Sequence, residues 1–285
     1  MWWKISAVIL FLIIFTAVVA ITAGDNRWQG QTRELQARLA SAQTVVAPAT
    51  YDPAELAGLP DPVQRYFETV LTPGQPMITA VSINHSGTFN MGTTTEQWRP
   101  FTSNQAVVTQ QPGFVWDARI SMAPGLTAFV HDAYVAGEGV LAARLFGLLT
   151  VMEQPPTPEL AEGELMRYLA EGAWYPTALL PSQGIIWEAV NETQAQATLR
   201  DGDVTVTLLF TFNDAGLIDT VYANGRYREQ DGVQVATPWQ GRFWEYAQRD
   251  GMLIPLAGEV SWLLSTDPLP YWRGDIEAIN YDYTQ

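Results

Sequence analysis

The chain has 285 residues, no cysteine, and 30 acidic against 15 basic residues, for a formal net charge of −15. The basic residues are scattered, which excludes the concentrated positive surface that nucleic-acid binding needs and disfavours close docking of the domain on anionic headgroups. Hydrophobic residues make up 47% and charged residues 16%, with 11 tryptophans, a composition that suits either a large β core or an apolar cavity.

Met1-Trp2-Trp3-Lys4 lead into an uncharged run from Ile5 to Ala23, followed by Asp25, Asn26 and Arg27. At about 1.5 Å per residue the run makes roughly 28 Å of helix, close to the ~30 Å hydrocarbon of a bilayer. It is longer than the roughly 7–15 apolar residues of a secretory leader, which favours a retained anchor, although Val18-Val19-Ala20 would pass as a cleavage site. Without cysteine no lipid-modified residue can replace that anchor, and the redox compartment is undecided. Trp2 and Trp3 at one end and Trp28 at the other are expected at headgroup level. Lys4 opposes Arg27, Arg33 and Arg38, so the positive-inside count is nearly balanced. The short tail with an early lysine reads as a signal-anchor with the large domain outside the cytoplasm.

The chain thus divides into a transmembrane anchor (1–24), a helical stalk and linker (25–50) and an antiparallel β domain (51–285). In the stalk Trp28, Leu35, Leu39, Ala42 and Val46 fall on one side, and about eighteen helical residues would lift the domain roughly 27 Å from the membrane. Pro48, Pro53, Pro60 and Pro62 break the helix. Asp61-Pro62 then reads as an N-cap with proline at the first helical position, opening a short helix to Leu71.

From Met77 the pattern is strand. Val81, Ile83, His85, Gly87, Phe89 and Met91 form one row against Ser82, Asn84, Ser86, Thr88 and Asn90, and the alternation returns over Phe114–Met122 and Val204–Phe212. Asp201-Gly202, Asp231-Gly232 and Asp250-Gly251 are hairpin turns, with a longer one at Asn213–Gly216. Thr157-Pro158-Glu159 opens the one inserted helix, about 157–171. These elements predict a mainly β fold: a large curved antiparallel sheet, an open or half barrel, with the helix against its concave side.

Catalytic motifs are absent from the sequence. His85 lies on the apolar row, as a core histidine would. His131 and Asp132 are adjacent in a strand and point to opposite faces, so they cannot act as a base and its orienter. Two histidines without cysteine give no zinc-like spacing, Asp201-Gly-Asp203 lacks the rest of a calcium loop, and no Gly-x-Ser-x-Gly or phosphate-binding glycine loop occurs. No cofactor or metal is implied, and the chain reads as leaning away from enzymes. The densest constellation runs from Arg167 through Glu171, Trp174, Tyr175, Pro176 and Pro181 to Trp187. Arg167 and Glu171 are one helical turn apart and can pair. Pro176 ends the helix and leaves Trp174 and Tyr175 either as a hydrophobic plug or, with Trp187, as the lining of an apolar cavity with Arg167 meeting an anionic headgroup at its mouth.

The same segment resembles the signature of an uncharacterised prokaryotic family, a domain of unknown function. The likeness extends to Pro112–Ala118, around Trp116, and to Trp239–Tyr246, around Arg242, through Gly251–Pro255 and Trp262. It covers about residues 60–285 and implies no established activity. Such proteins are similar in outline to periplasmic lipoprotein carriers, whose half-barrel sheet and lid helix shelter acyl chains. The expected role is a membrane-anchored, non-enzymatic β domain binding a lipid or other hydrophobic molecule through Trp116, Arg167, Glu171, Trp174, Tyr175, Trp187 and Arg242. A partner-binding or scaffold ectodomain is the alternative, and an envelope hydrolase using paired carboxylates a further one. A protein partner is left open.

Overall fold

The computed structural model describes residues 2–42, 49–92, 95–230 and 232–283; Val46, Pro48 and Asp231 lie outside them. Thirteen strands form a single sheet in which every neighbour pair is antiparallel. The first meander comprises β1 (Ile78–Asn90), β2 (Trp98–Val108), β3 (Gly113–Ala123), β4 (Leu126–Val135), β5 (Glu138–Leu145) and β6 (Leu149–Gln154). The second comprises β7 (Ile186–Asn191), β8 (Gln194–Asp201), β9 (Val204–Phe212), β10 (Ile218–Gln230), β11 (Val233–Arg249), β12 (Met252–Leu263) and β13 (Pro268–Tyr283). The two meanders join where β1 pairs with β13, which leaves β6 and β7 as the two edges.

The expected turns at Asp201-Gly202, Asn213–Gly216 and Asp250-Gly251 join these strands. At Asp250-Gly251 both residues have positive φ, 47° and 82°, the left-handed pair that a tight two-residue hairpin requires. The expected short helix is α2 (Asp61–Val70), which begins at Asp61 itself with Pro62 in its first turn and no side-chain cap. Its buried Val63, Tyr66, Phe67 and Val70 pack into the main core.

The strand order decides what fills the concave side. β6 ends at one edge of the sheet and β7 begins at the other, so the intervening chain must cross from edge to edge. It does so as α3 (Pro158–Ala170), whose Thr157 cap accepts from the Leu160 amide, followed by three 3₁₀ turns over Glu171–Gln183. α3 touches β3, β4 and β5 from the first meander and β9 and β10 from the second. Residues 160–180 of this crossing are buried almost throughout, and the main core is built between it and the sheet.

The N-terminal helix α1 (Trp2–Ser41) is continuous, and its apolar half is long enough to cross a membrane. Residues 2–23 are all exposed to the surroundings, whereas Gly24, Trp28, Thr32 and Leu39 are buried. Those four, with Leu35, recur every three or four residues and lie on one helical face. That face packs on the convex side of β2, β3 and β4, where Leu35 and Leu39 cover Val108, Val115, Ala133 and Val135. The stalk therefore lies flat along the sheet instead of lifting the domain away from the span. Trp28, expected at headgroup level, is inside this joint with no exposed surface: its indole stacks on His131 at 3.8 Å and its N–H donates to Asp117 Oδ1 at 2.8 Å. Arg119 pairs with Asp117, and its guanidinium lies 3.9 Å from the Phe129 ring. Thr32 Oγ and His131 Nε2 share a 2.7 Å hydrogen bond.

Candidate ligand site on the concave side

Alternation along β1, β2, β3, β11 and β13 points His85, Phe101, Gln105, Trp116, Phe243 and Trp272 to the concave side, where the crossing segment brings Trp174 down among them. Trp174 stands 5.1 Å from the His85 ring, 5.9 Å from Phe243 at 89°, and 6.3 Å from Trp272. Phe101 links Trp116 at 5.8 Å to Trp272 at 5.9 Å. These edge-to-face and tilted contacts are those that aromatic quadrupoles favour.

The box has unmade hydrogen bonds. Trp116 Nε1, Trp174 Nε1, Gln105 Oε1 and His85 Nε2 have no partner among the described residues, although all four residues are 2–3% exposed. Three other buried indoles are satisfied: Trp28 by Asp117, Trp187 by the Leu179 carbonyl at 2.9 Å, and Trp239 by the Tyr271 hydroxyl at 2.9 Å. Each unpaired buried polar group costs about 1–3 kcal/mol, so four of them around one set of rings need a reason. Burial, with the Arg167 charge adding to it, pushes the His85 pKa down to about 3, so the imidazole is neutral.

Beside the box lies a largely buried charge network. Arg167 donates to Glu171 at 2.7 Å and to Asp132 at 2.6 Å, and Gln105 Nε2 donates to Glu171 at 2.5 Å. Arg226 donates to Glu164 at 3.0 Å, to the Gly163 carbonyl and to the Tyr271 hydroxyl. Burial, then the charge of Asp132 and a hydrogen bond between the two carboxyls, raises Glu164 well above the usual carboxylate range against the pull of Arg226. The shift favours the protonated form of Glu164, the form able to donate to Asp132.

Of the residues singled out in the sequence, Trp116, Arg167, Glu171 and Trp174 come together here. Tyr175 is adjacent but spends its hydroxyl on the Tyr168 carbonyl, 2.7 Å away. Trp187 belongs to a separate cluster with Phe67, Phe210 and Phe212. Arg242 lies on the opposite face of the sheet, with Trp244, Glu259 and Arg273 around an open hollow of about 400 Å³. Arg167, expected at a cavity mouth for an anionic headgroup, is instead inside and already engaged by two carboxylates. The expected apolar cavity is occupied by the chain's own crossing segment, because the topology sends it there. Carboxylates do converge, as a hydrolase would need, but they face arginines in the core and not a cleft.

His85, Gln105, Phe243 and Trp272 belong to the box and Arg226 to the network, and none of these five was among the candidates. Strand alternation alone places His85 inside, where the structure has it. Arg226 follows a register shift between Ala223 and Arg226, a bulge that turns it inward against the alternation.

Residues 57–281 match a family of unknown function, DUF6920. No curated protein matches the chain in sequence. Among solved structures it is similar to a LolA superfamily protein from Nitrosomonas europaea, with a TM-score of 0.41 and 9% identity, covering 79% of this chain and 93% of that one. It is also similar to a β-barrel-like protein of the domain of unknown function DUF1849 from Brucella abortus, with a TM-score of 0.20 and 11% identity, covering 72% of this chain and 99% of that one. With its domain matched from end to end of the two meanders, the chain belongs to the DUF6920 family.

Proposed function

We propose that this chain is a membrane-anchored, non-enzymatic domain that holds a hydrophobic ligand on the concave side of its sheet, against the aromatic box around Trp174. The observation that carries the reading is the set of four unpaired polar atoms inside the aromatic box. Two N–H donors, one carbonyl and one neutral imidazole nitrogen, set among aromatic rings, match an apolar body with a small uncharged polar group such as an ester or hydroxyl. An anionic headgroup is the poorer fit, since both nearby arginines are neutralised by the chain's own carboxylates. The exposed apolar half of α1 supplies the anchor. Ligand exchange takes place at the bilayer, where such molecules are concentrated.

The test is photolabelling of the full chain in phosphatidylcholine bilayers carrying a diazirine-bearing glyceride, with adducts mapped by mass spectrometry. Adducts on β1, β3 or Glu171–Gln183 support the reading; adducts confined to α1 sink it. A scaffold role is the second reading, favoured by the filled concave side. It predicts that replacing Trp174 with Phe changes no binding event.

A further inference from the structure

The end of the membrane helix and one rim of the sheet are fixed together. At Gly24 a side chain would collide with the Phe146 carbonyl and with Leu148, and Gly147 in turn lies against the Gly24 backbone and Trp28. Asp25 is 3.7 Å from Arg119, and Gln31 accepts from Arg144 at 3.1 Å. These contacts, with Leu39 against Gly113, run α1 parallel to β4 along its length, so the sheet's β3–β4 and β5–β6 turns lie at the end from which the span departs.

Both turns are without charge. From Ile120 to Val130, and again from Leu145 to Met152, there is no Asp, Glu, Lys or Arg. In a chain of net charge −15 two adjacent uncharged hairpin tips need a reason. The second tip is also openly apolar: Leu148, Leu149 and Val151 are 39, 65 and 62% exposed. Charges of both signs resume one step away from the span, Arg119 with Asp25 and Asp117, Arg144 with Glu153, and the exposed Arg27, at the level of a zwitterionic headgroup layer.

We infer that the β3–β4 and β5–β6 hairpin tips are a membrane-seating surface, inserted into the headgroup/acyl boundary of the bilayer that α1 spans. This rests on the anchor reading given above. The occupant is a bilayer because the patch is continuous with the exposed apolar surface of α1, which ends at Ala23 against these same turns. A protein partner seated here would have to share the space with the lipid around the helix. The seating holds the sheet at a fixed height and angle to the membrane, which a flexible tether would not.

The absence of native cysteine makes the test direct. Single-cysteine forms of the full chain, Leu149→Cys and Ser121→Cys at the tips, Asn191→Cys at a distant strand end and Leu12→Cys in the span, carry a fluorophore in phosphatidylcholine vesicles containing spin-labelled lipid. An element seated ~5–10 Å into the interface should lose roughly half its emission to a quencher at the headgroup/acyl boundary. That loss is expected for Leu149 and Ser121, with Asn191 unchanged and Leu12 quenched by deeply placed spin labels. Leu12 quenched with Leu149 and Ser121 as bright as Asn191 overturns the seating and leaves the anchor standing. Leu12 unquenched overturns the anchor and the seating with it.

Discussion

Arg226 shows how a single residue escapes a sequence pattern. Counting by twos from Val221 and Ala223 makes Gly225 and Tyr227 the inward residues, yet the bulge at Asn224-Gly225 turns Arg226 inward and Tyr227 out. The buried network around it makes a sharp prediction at Glu164. Glu164→Gln keeps an acceptor for Arg226 and offers Asp132 a donor in place of the shared proton, so unfolding free energy should move by less than about 1 kcal/mol. Glu164→Ala strands Arg226 and Asp132 and should cost about 3–5 kcal/mol in denaturant melts. Equal losses in the two variants would remove the shared proton from the account. The histidines set the pH dependence. Burial, partly opposed by Asp117, lowers His131 to about 4, and burial lowers His85 to about 3. An unfolded imidazole takes up its proton near pH ~6.5, so below that value the unfolded chain binds more protons and stability falls with pH. At pH 5 the loss should be about 2 kcal/mol for each histidine. Glu164 acts in the opposite sense, its raised value favouring the fold at low pH and losing that contribution as pH rises through it. Calorimetric scans between pH 7 and 5 check the balance: melting temperature should fall across this window, and about half as steeply in His131→Asn. A wild-type melting temperature constant over the window would contradict the neutral, buried histidines.

Among elements, the strands, their turns and the inserted helix were legible because each rests on local chemistry: period-two alternation, Asp-Gly pairs, and a Thr-Pro-Glu start. The closure of β1 on β13 was not, since strand pairing across almost two hundred residues leaves no local mark. That closure makes the α3 segment a strap across the sheet and fills the site expected to be hollow. The docking of α1 did leave a trace that alternation missed. Val115 stands between Phe114 and Trp116, and Ala133 and Val135 flank Tyr134, so both faces of β3 and β4 are apolar there, as in strands covered on both sides. Trp28 is the center of that joint. Trp28→Ala should cost about 3–5 kcal/mol of local packing. In the full chain held in bilayers it should open Arg33 and Arg38 to trypsin while the β domain stays intact. An unchanged cleavage pattern would mean that the helix is held by Leu35 and Leu39 alone.

On the scale of the molecule, the helix, the rim and the concave site share one geometry. α1 enters beside two uncharged hairpin tips, rises along the convex face, and leaves the aromatic box on the other side of the same strands. Trp174 lies at the meeting of strap and box, so its substitution separates a binding role from a purely structural one. Trp174→Phe removes an unpaired donor while keeping most of the ring, so melting temperature should stay level or rise. A structural plug would show nothing more. A ligand site would lose the hydrogen bond that fixes the ligand's polar group, worth about 0.5–1.5 kcal/mol, or roughly two- to twelvefold in affinity. The most direct measurement is native mass spectrometry of the full chain released from phosphatidylcholine nanodiscs supplemented with a diacylglycerol, wild type beside Trp174→Phe. A single retained ligand on the wild type, reduced several-fold on the variant, is the predicted result. Wild type free of ligand, or both proteins retaining it equally, would contradict a concave binding site.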